Sequence, residues 1–355
     1  MDRVRRKPGL KIVQLLAAWK SILTGSSPML SIEVTRECPL QCPGCYAYGD
    51  THLGGAVTLR GLADYRGDEL VERIIALVRL HRPLQVSLVG GEPLVRHREL
   101  SRVLPALSAM GVYTMVVTSA VIPIPLHWMS IPKVRVAVSV DGLPEHHNPR
   151  RKPATYERIL QNIQGTQVNV HWTITRPMAE RDGYLDAYLA YWSRRQEVVR
   201  IWVSLYTPQK GEISGEMLTR DQRERVAYEL AMMKDRYPKL LINDGIAKAI
   251  VDPPKNPSEC MFSRMSTNYS ADLATRVEPC VFGGDPDCSQ CGCASSSGFH
   301  WLKERHIGPL KIAHLAYGSA AIGSFLGRFR KDYRVEPRWT PAATRELVQI
   351  EEKAS

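Results

Sequence analysis

Short apolar runs alternate with amphipathic stretches along most of this chain. The runs at 29–34, 85–89, 112–118, 134–140, 168–174 and 199–206 are rich in Val and Ile, which predicts buried strands. At 69–80, 99–110, 154–163, 184–194 and 220–235 the apolar residues recur at helical spacing instead. Strands that alternate with helices imply βαβ units, and so an α/β fold around a parallel sheet.

The two ends depart from this alternation. Within 1–28, Ile12, Leu15, Leu16, Trp19, Ile22 and Leu23 fall on one helical face, with Lys11 and Lys20 off it and Arg3, Arg5, Arg6 and Lys7 before it. A basic amphipathic helix of this kind suits either a membrane surface or packing across the open bottom of a barrel. A second apolar stretch, 310–326, carries Ile312, Leu315, Ala320, Ala321, Ile322 and Phe325, with Arg328, Arg330 and Lys331 after it. It is short for a spanning helix, which leaves a peripheral contact or a cap over the active site. Lys20 interrupts the first apolar run, which argues against a secretory signal.

Composition narrows the partners. The 355 residues suffice for one large domain and an appendage, and 44% of them are hydrophobic. The net charge of +11 favours an anionic partner: an acidic electron carrier, a membrane surface or nucleic acid. Nucleic acid ranks last, since no aromatic-and-basic RNA motif is present.

The chemistry lies in the cysteines. All eight fall into two groups. Cys38, Cys42 and Cys45 form a C-x3-C-x2-C run in the loop after the first strand. Thiolates this close can converge on one metal centre. Structural zinc wants four ligands, and the nearest histidine, His52, lies beyond a loop; a disulfide would leave one thiol over. Three ligands suit a four-iron cluster whose last iron stays open, and an open metal position is where chemistry occurs.

This run resembles the signature of the radical S-adenosylmethionine (radical SAM) enzymes, although Gly44 stands where an aromatic residue often precedes the third cysteine, and Tyr46 follows it. Gly90-Gly91-Glu92-Pro93, directly after the second strand, is similar to the family's GGEP element. Ser139, Asp141 and Arg150 match its S-x-D-G…R stretch, with Asn148 in place of an Asp. Thr118-Ser119-Ala120 stands where relatives show T-N-G. The resemblance implies a partial (β/α)6 TIM-like barrel. It places a 4Fe–4S cluster on Cys38, Cys42 and Cys45, and SAM against Tyr46, Gly90, Gly91, Glu92, Pro93, Ser119, Ser139, Asp141 and Arg150.

Cys260, Cys280, Cys288, Cys291 and Cys293 make up the second group. Residues 268–280 read as a strand, a turn and a returning strand ending in Pro-Cys, which resembles the start of the SPASM/twitch domains. The resemblance implies an auxiliary 4Fe–4S cluster held by Cys260, Cys280 and two of the last three, with one thiol over. A zinc knuckle is the alternative. The expected organisation is an amphipathic segment at 1–28, the barrel at 29–250, the auxiliary-cluster region at 251–300 and a helical segment at 301–355.

By the same resemblance, a flavodoxin- or ferredoxin-type donor reduces the first cluster, and SAM is cleaved to methionine and a 5′-deoxyadenosyl radical that removes a hydrogen atom from the substrate. An auxiliary cluster favours net oxidation or bond-forming rearrangement, hence an oxidoreductase or transferase. The amphipathic ends favour a lipophilic or other small-molecule substrate, with peripheral contact at the cytoplasmic face of a membrane. A ribosomally made peptide is the alternative, against which the short stretch before the barrel weighs. A non-catalytic iron–sulfur carrier would not need the Gly-Gly-Glu-Pro element. Iron-bound reduced cysteines fit a cytoplasmic setting.

Overall fold

The computed structural model describes residues 12–55 and 57–327. Seven strands form one parallel sheet: β1 (Met29–Glu33), β2 (Gln85–Val89), β3 (Tyr113–Thr118), β4 (Val134–Ser139), β5 (Val168–Ile174), β6 (Val198–Leu205) and β7 (Ser266–Tyr269). Their order is β6-β5-β4-β3-β2-β1-β7. The first six follow chain order, as successive βαβ crossovers lay them down. The sheet stays open between β6 and β7, so the fold is a partial (β/α)6 barrel with one added strand.

The helices are α1 (Ile12–Leu23), α2 (Gly67–His81), α3 (His97–Ala109), α4 (Pro144–Arg151), α5 (Tyr156–Asn162), α6 (Arg176–Ala179), α7 (Tyr184–Arg194), α8 (Arg220–Met233), α9 (Asp244–Val251), α10 (Met261–Met265), α11 (Ala294–Lys303) and α12 (Ile312–Gly327). On α2, Leu70, Ile74, Leu77 and Val78 share a buried face, as do Leu100, Val103, Leu104 and Leu107 on α3. Both faces join the core formed by Val86, Leu88, Val116 and Val136 of the sheet. Burying each such side chain contributes about 2 kcal/mol. Trp172 of β5 stacks on Tyr188 of α7 with ring centroids 3.8 Å apart. Thr219 caps α8 through a reciprocal bond with Gln222, a capping box.

The seventh strand is absent from the hydrophobic pattern because its residues are polar. Ser266, Thr267 and Asn268 are buried all the same, since β7 pairs along the outer edge of β1 from Met29↔Ser266 to Ile32↔Tyr269. The turn expected within 268–280 is present, but the return is a single antiparallel bridge, Tyr269 to Arg276, and no second strand. Ser270 N–H donates to the Thr275 carbonyl at 2.8 Å and Val277 N–H to that of Asn268 at 3.0 Å. The first arm of that turn, moreover, belongs to the barrel sheet.

The two ends of the chain meet. Helix α1 packs on α12, where Ile22 is buried with Met261, Met265, Ala316 and Ala320. The Trp19 indole donates to the Ser319 hydroxyl. A Cβ at Gly323 would come within 1.9 Å of the Ile22 carbonyl oxygen, so glycine permits the close approach. Each segment thus covers part of the other's apolar face, while Leu16, Trp19, Ile322 and Phe325 stay exposed. Among the described residues no helix is long and apolar enough to cross a membrane. The flanking basic residues Arg3, Arg5, Arg6, Lys7, Lys11, Arg328, Arg330 and Lys331 lie outside the described residues.

Candidate active site

The candidate motifs follow the carboxyl ends of the strands, where barrel enzymes assemble their sites. Cys38, Cys42 and Cys45 occupy the loop after β1 and are half-buried free thiols. Cys38 and Cys42 pack beside buried Leu40, Val121 and Ala154. Burial pushes the Cys38 thiol up to about 11 and raises that of Cys42, which Arg151 opposes. Binding iron there must therefore release protons. Gly44 adopts φ +63°, and a Cβ on it would lie 2.8 Å from the Tyr206 hydroxyl. The Tyr206 ring, from the end of β6, fills the space that an aromatic side chain at position 44 would need.

The Gly90-Gly91 turn is wedged against the start of this loop. A Cβ on Gly90 would meet the Glu33 Cβ at 2.3 Å, and one on Gly91 the Glu37 carbonyl oxygen at 2.2 Å. Both glycines have positive φ. Glu92 N–H donates to the same Glu37 carbonyl at 2.8 Å. The Glu92 side chain is 1% exposed and ties β2 to β3. One of its oxygens accepts from Leu94 N–H and the Thr118 hydroxyl, the other from the N–H and hydroxyl of Ser119. Four donors match the acceptor capacity of a carboxylate. Contact with an ammonium group at Glu92 requires one of them, most simply the Ser119 hydroxyl, to turn away. Ala120 sits at φ +53°, the left-handed conformation that explains a glycine in the T-N-G of relatives.

After β4, buried Asp141 receives two arginines on one oxygen, Arg150 Nε at 2.9 Å and Arg151 Nε at 2.7 Å. Burial opposes ionisation of Asp141, but the two guanidinium groups outweigh it and hold its carboxyl well below the usual range. Its other oxygen, Oδ1, is buried with no hydrogen-bond partner. Arg150 also pairs with Glu216 from the loop after β6. Ser139 is buried at the end of β4. His147 holds the turn: Asp141 N–H donates to its Nδ1 at 3.0 Å, so its Nε2 donates to the Ala154 carbonyl at 2.8 Å. Burial pushes His147 down to about 4, which keeps it neutral. His171 on β5 bonds Ser204 at 2.8 Å and is likewise pushed to about 4 by burial. Tyr206 donates to Glu212.

The five remaining cysteines converge. Cys260, Cys280, Cys288, Cys291 and Cys293 line one cavity of about 410 Å3, counting its open mouth. Burial pushes Cys280 and Cys288 up to about 12 and raises Cys291 and Cys293. The cavity is stitched to the end of β6: Leu205 N–H donates to the Gly292 carbonyl at 2.9 Å and Asp287 N–H to that of Pro208 at 2.9 Å. Among the described residues no three His, Cys, Asp or Glu side chains are grouped to hold a single metal ion. A cube of four irons offers its thiolates four separate sites, and the shared cavity is the feature that fits it.

A buried polar network joins the two cysteine groups. Glu33, the last residue of β1, accepts from His52 Nε2 at 2.9 Å and from the Ser270 hydroxyl. His52 Nδ1 meets the Phe282 carbonyl at 2.9 Å. Both ring nitrogens face acceptors; burial opposes protonation of His52, and the bond to Glu33 outweighs it and raises its pKa. Tyr46 packs on His52 and edge-on to Phe282, with centroids 5.7 and 5.2 Å away, which ties it to this network. Sequence reasoning passed over Glu33, His52 as part of such a pair, Arg151 and Glu216. Only Arg151, adjacent to Arg150, carried a signal.

Comparison with known proteins agrees with this fold. Residues 32–167 match the Radical SAM superfamily. Over 260 residues the chain is 24% identical to the PqqA peptide cyclase of Rhizobium meliloti (strain 1021), covering 70% of this chain and 66% of that one. It is 35% identical over 91 residues to the PqqA peptide cyclase of Rhodopseudomonas palustris, 26% of this chain and 22% of that one. The chain thus spans just under two thirds of the first relative and about a fifth of the second. Among solved structures, Streptococcus suis SuiB bound to the precursor peptide SuiA superposes with a TM-score of 0.54 at 14% identity, over 79% of this chain and 67% of that one. Native anSMEcpe with bound AdoMet gives 0.52 at 13% identity, over 92% and 100%. At these identities the structural likeness is one of fold.

Proposed function

We propose that this chain, which belongs to the radical SAM superfamily, is a maturase that modifies a peptide. The observation that carries the two-cluster part is the convergence of five cysteines on one cavity, stitched to the end of β6 beside the barrel mouth. The peptide substrate is supported by the relatives named as peptide cyclases and by SuiB, whose structure holds a precursor peptide. The amphipathic ends, whose sequence suggests a lipophilic substrate, pack in part on each other, and the relatives point to a peptide instead.

In this proposal Cys38, Cys42 and Cys45 hold the SAM-binding 4Fe–4S cluster, and four of the five later cysteines hold an auxiliary 4Fe–4S cluster. When bound, the cluster and SAM supply an electron and a 5′-deoxyadenosyl radical that removes a hydrogen atom from the substrate. The chain's own residues bind and orient. The Gly90-Gly91 turn and Glu92 shape the place for the methionine end of SAM. Asp141 Oδ1, buried and unpartnered, is the acceptor offered to a ribose hydroxyl, while Arg150 and Arg151 keep that carboxylate ionised. Tyr206, Glu212 and Glu216, on the loop after β6, close the mouth around the substrate. A low-potential flavodoxin- or ferredoxin-type protein is the expected electron donor, and the net reaction is an oxidation or bond-forming rearrangement.

Anaerobic incubation of the iron-loaded protein with SAM and dithionite tests the first part: 5′-deoxyadenosine should form. Its absence would leave a non-catalytic iron–sulfur carrier. Co-expression with short peptides encoded beside the gene tests the second: a peptide mass change that needs Cys42 is expected, and unchanged peptides together with a converted lipid would return the small-molecule substrate.

A further inference from the structure

Arg223 on α8 is a buried cation surrounded by carbonyl groups. It is 5% exposed. Its Nε and Nη2 donate to the Ile250 carbonyl at 3.2 and 2.7 Å, Nη1 donates to Gln290 at 2.8 Å, and Nη2 donates again to Cys291 at 2.6 Å. The nearby carboxylate of Asp287 is turned to Ser289 and Gln290. Among the described residues Arg223 has no ion-pair partner, and a buried charge is costly unless something pairs it. Cys291, whose carbonyl it grips, is one of the five cysteines of the cavity.

We propose that Arg223 is a positioning residue and the built-in counter-charge of the auxiliary cluster. It clamps the Cys288–Cys293 loop through two carbonyls and raises the cluster's reduction potential. A cube with four thiolates is an anion, and its charge grows on reduction. A fixed cation beside it favours the reduced form, since net charge and neighbouring dipoles set such potentials. The consequence is a cluster disposed to accept the electron that a substrate radical must shed. This rests on assigning the five cysteines to an auxiliary cluster.

The test is an anaerobic redox titration, followed by electron paramagnetic resonance, of iron-loaded wild type, Arg223→Gln and Arg223→Lys. The auxiliary midpoint potential should fall in Arg223→Gln and lie nearer the wild-type value in Arg223→Lys, with the potential of the SAM-binding cluster unchanged. Loss of the auxiliary signal from Arg223→Gln alone would also support the proposal. An unchanged potential in Arg223→Gln, equal shifts in both variants, or loss of the cluster or of folding in both would overturn it, leaving a carbonyl clamp. A wild type with no auxiliary signal would instead sink the assignment of the five cysteines.

Discussion

The two groups of thiols differ in how they meet solvent and in what they leave open. Cys38, Cys42 and Cys45 sit half-buried in a loop at the barrel mouth, ringed by turns from β2, β3 and β4. Cys260, Cys280, Cys288, Cys291 and Cys293 wall a cavity of their own, off the end of β6 and against a buried arginine. The first group supplies too few thiolates for four irons, and a buried acceptor without a partner lies near it. The second has one thiolate more than it needs. Under the proposed function the difference is a division of labour: one site admits a ligand, the other stores charge.

Removing thiols separates the two most sharply. Cys42→Ala should abolish 5′-deoxyadenosine formation to background while the auxiliary iron signal stays. Cys291→Ala should weaken or remove the auxiliary signal while SAM cleavage continues. If either change erases both signals, the sites are not independent. The next largest effect tests what joins them. His52→Ala leaves Glu33, buried between the two groups, with the Ser270 hydroxyl but without its cation, at a cost of about 3 kcal/mol. Denaturant midpoints should fall, and iron at both sites should fall together; loss at one site alone would mean the network serves only that side.

Acid should reach the SAM side through His147. Its folded value of about 4 lies below the unfolded value of about 6.5. The unfolded chain takes up its proton first as pH falls, so the stability this residue contributes above pH ~6.5 is lost as pH falls toward ~4, about 3 kcal/mol in all. His147→Gln should lose that share of the pH slope; superimposable profiles would exclude it. The smallest effect concerns Ala120→Gly, which relieves a left-handed alanine on the SAM side. A gain of about 1 kcal/mol is expected from urea unfolding, and a loss would show that the methyl group packs usefully.

The apolar runs marked the first six barrel strands to within a residue or so, and helix 184–194 at both ends. Val, Ile and Leu at period two or 3.6 report burial directly. The motif residues at strand ends were legible because glycine turns and clustered thiols carry chemistry in their spacing. Residues that act across long separations were not. Glu33 and Ser270 meet over a sequence separation of 237, and Arg223 reaches Cys291 over 68. Neither pair has a periodicity or a composition to mark it.

By itself, the sequence determined an α/β fold around a parallel sheet, a three-thiol loop after its first strand and a second cysteine group near its far end. Those follow from local patterns, which survive without knowledge of neighbours. Only the tertiary structure decided that polar residues 266–269 become a strand, that the two amphipathic ends pack on each other, and that five dispersed thiols share one cavity with a buried cation beside it. Each depends on which surfaces meet. A polar strand is paid for by the edge it completes, an apolar helix face is indifferent to whether lipid or protein covers it, and a buried charge is defined by what surrounds it.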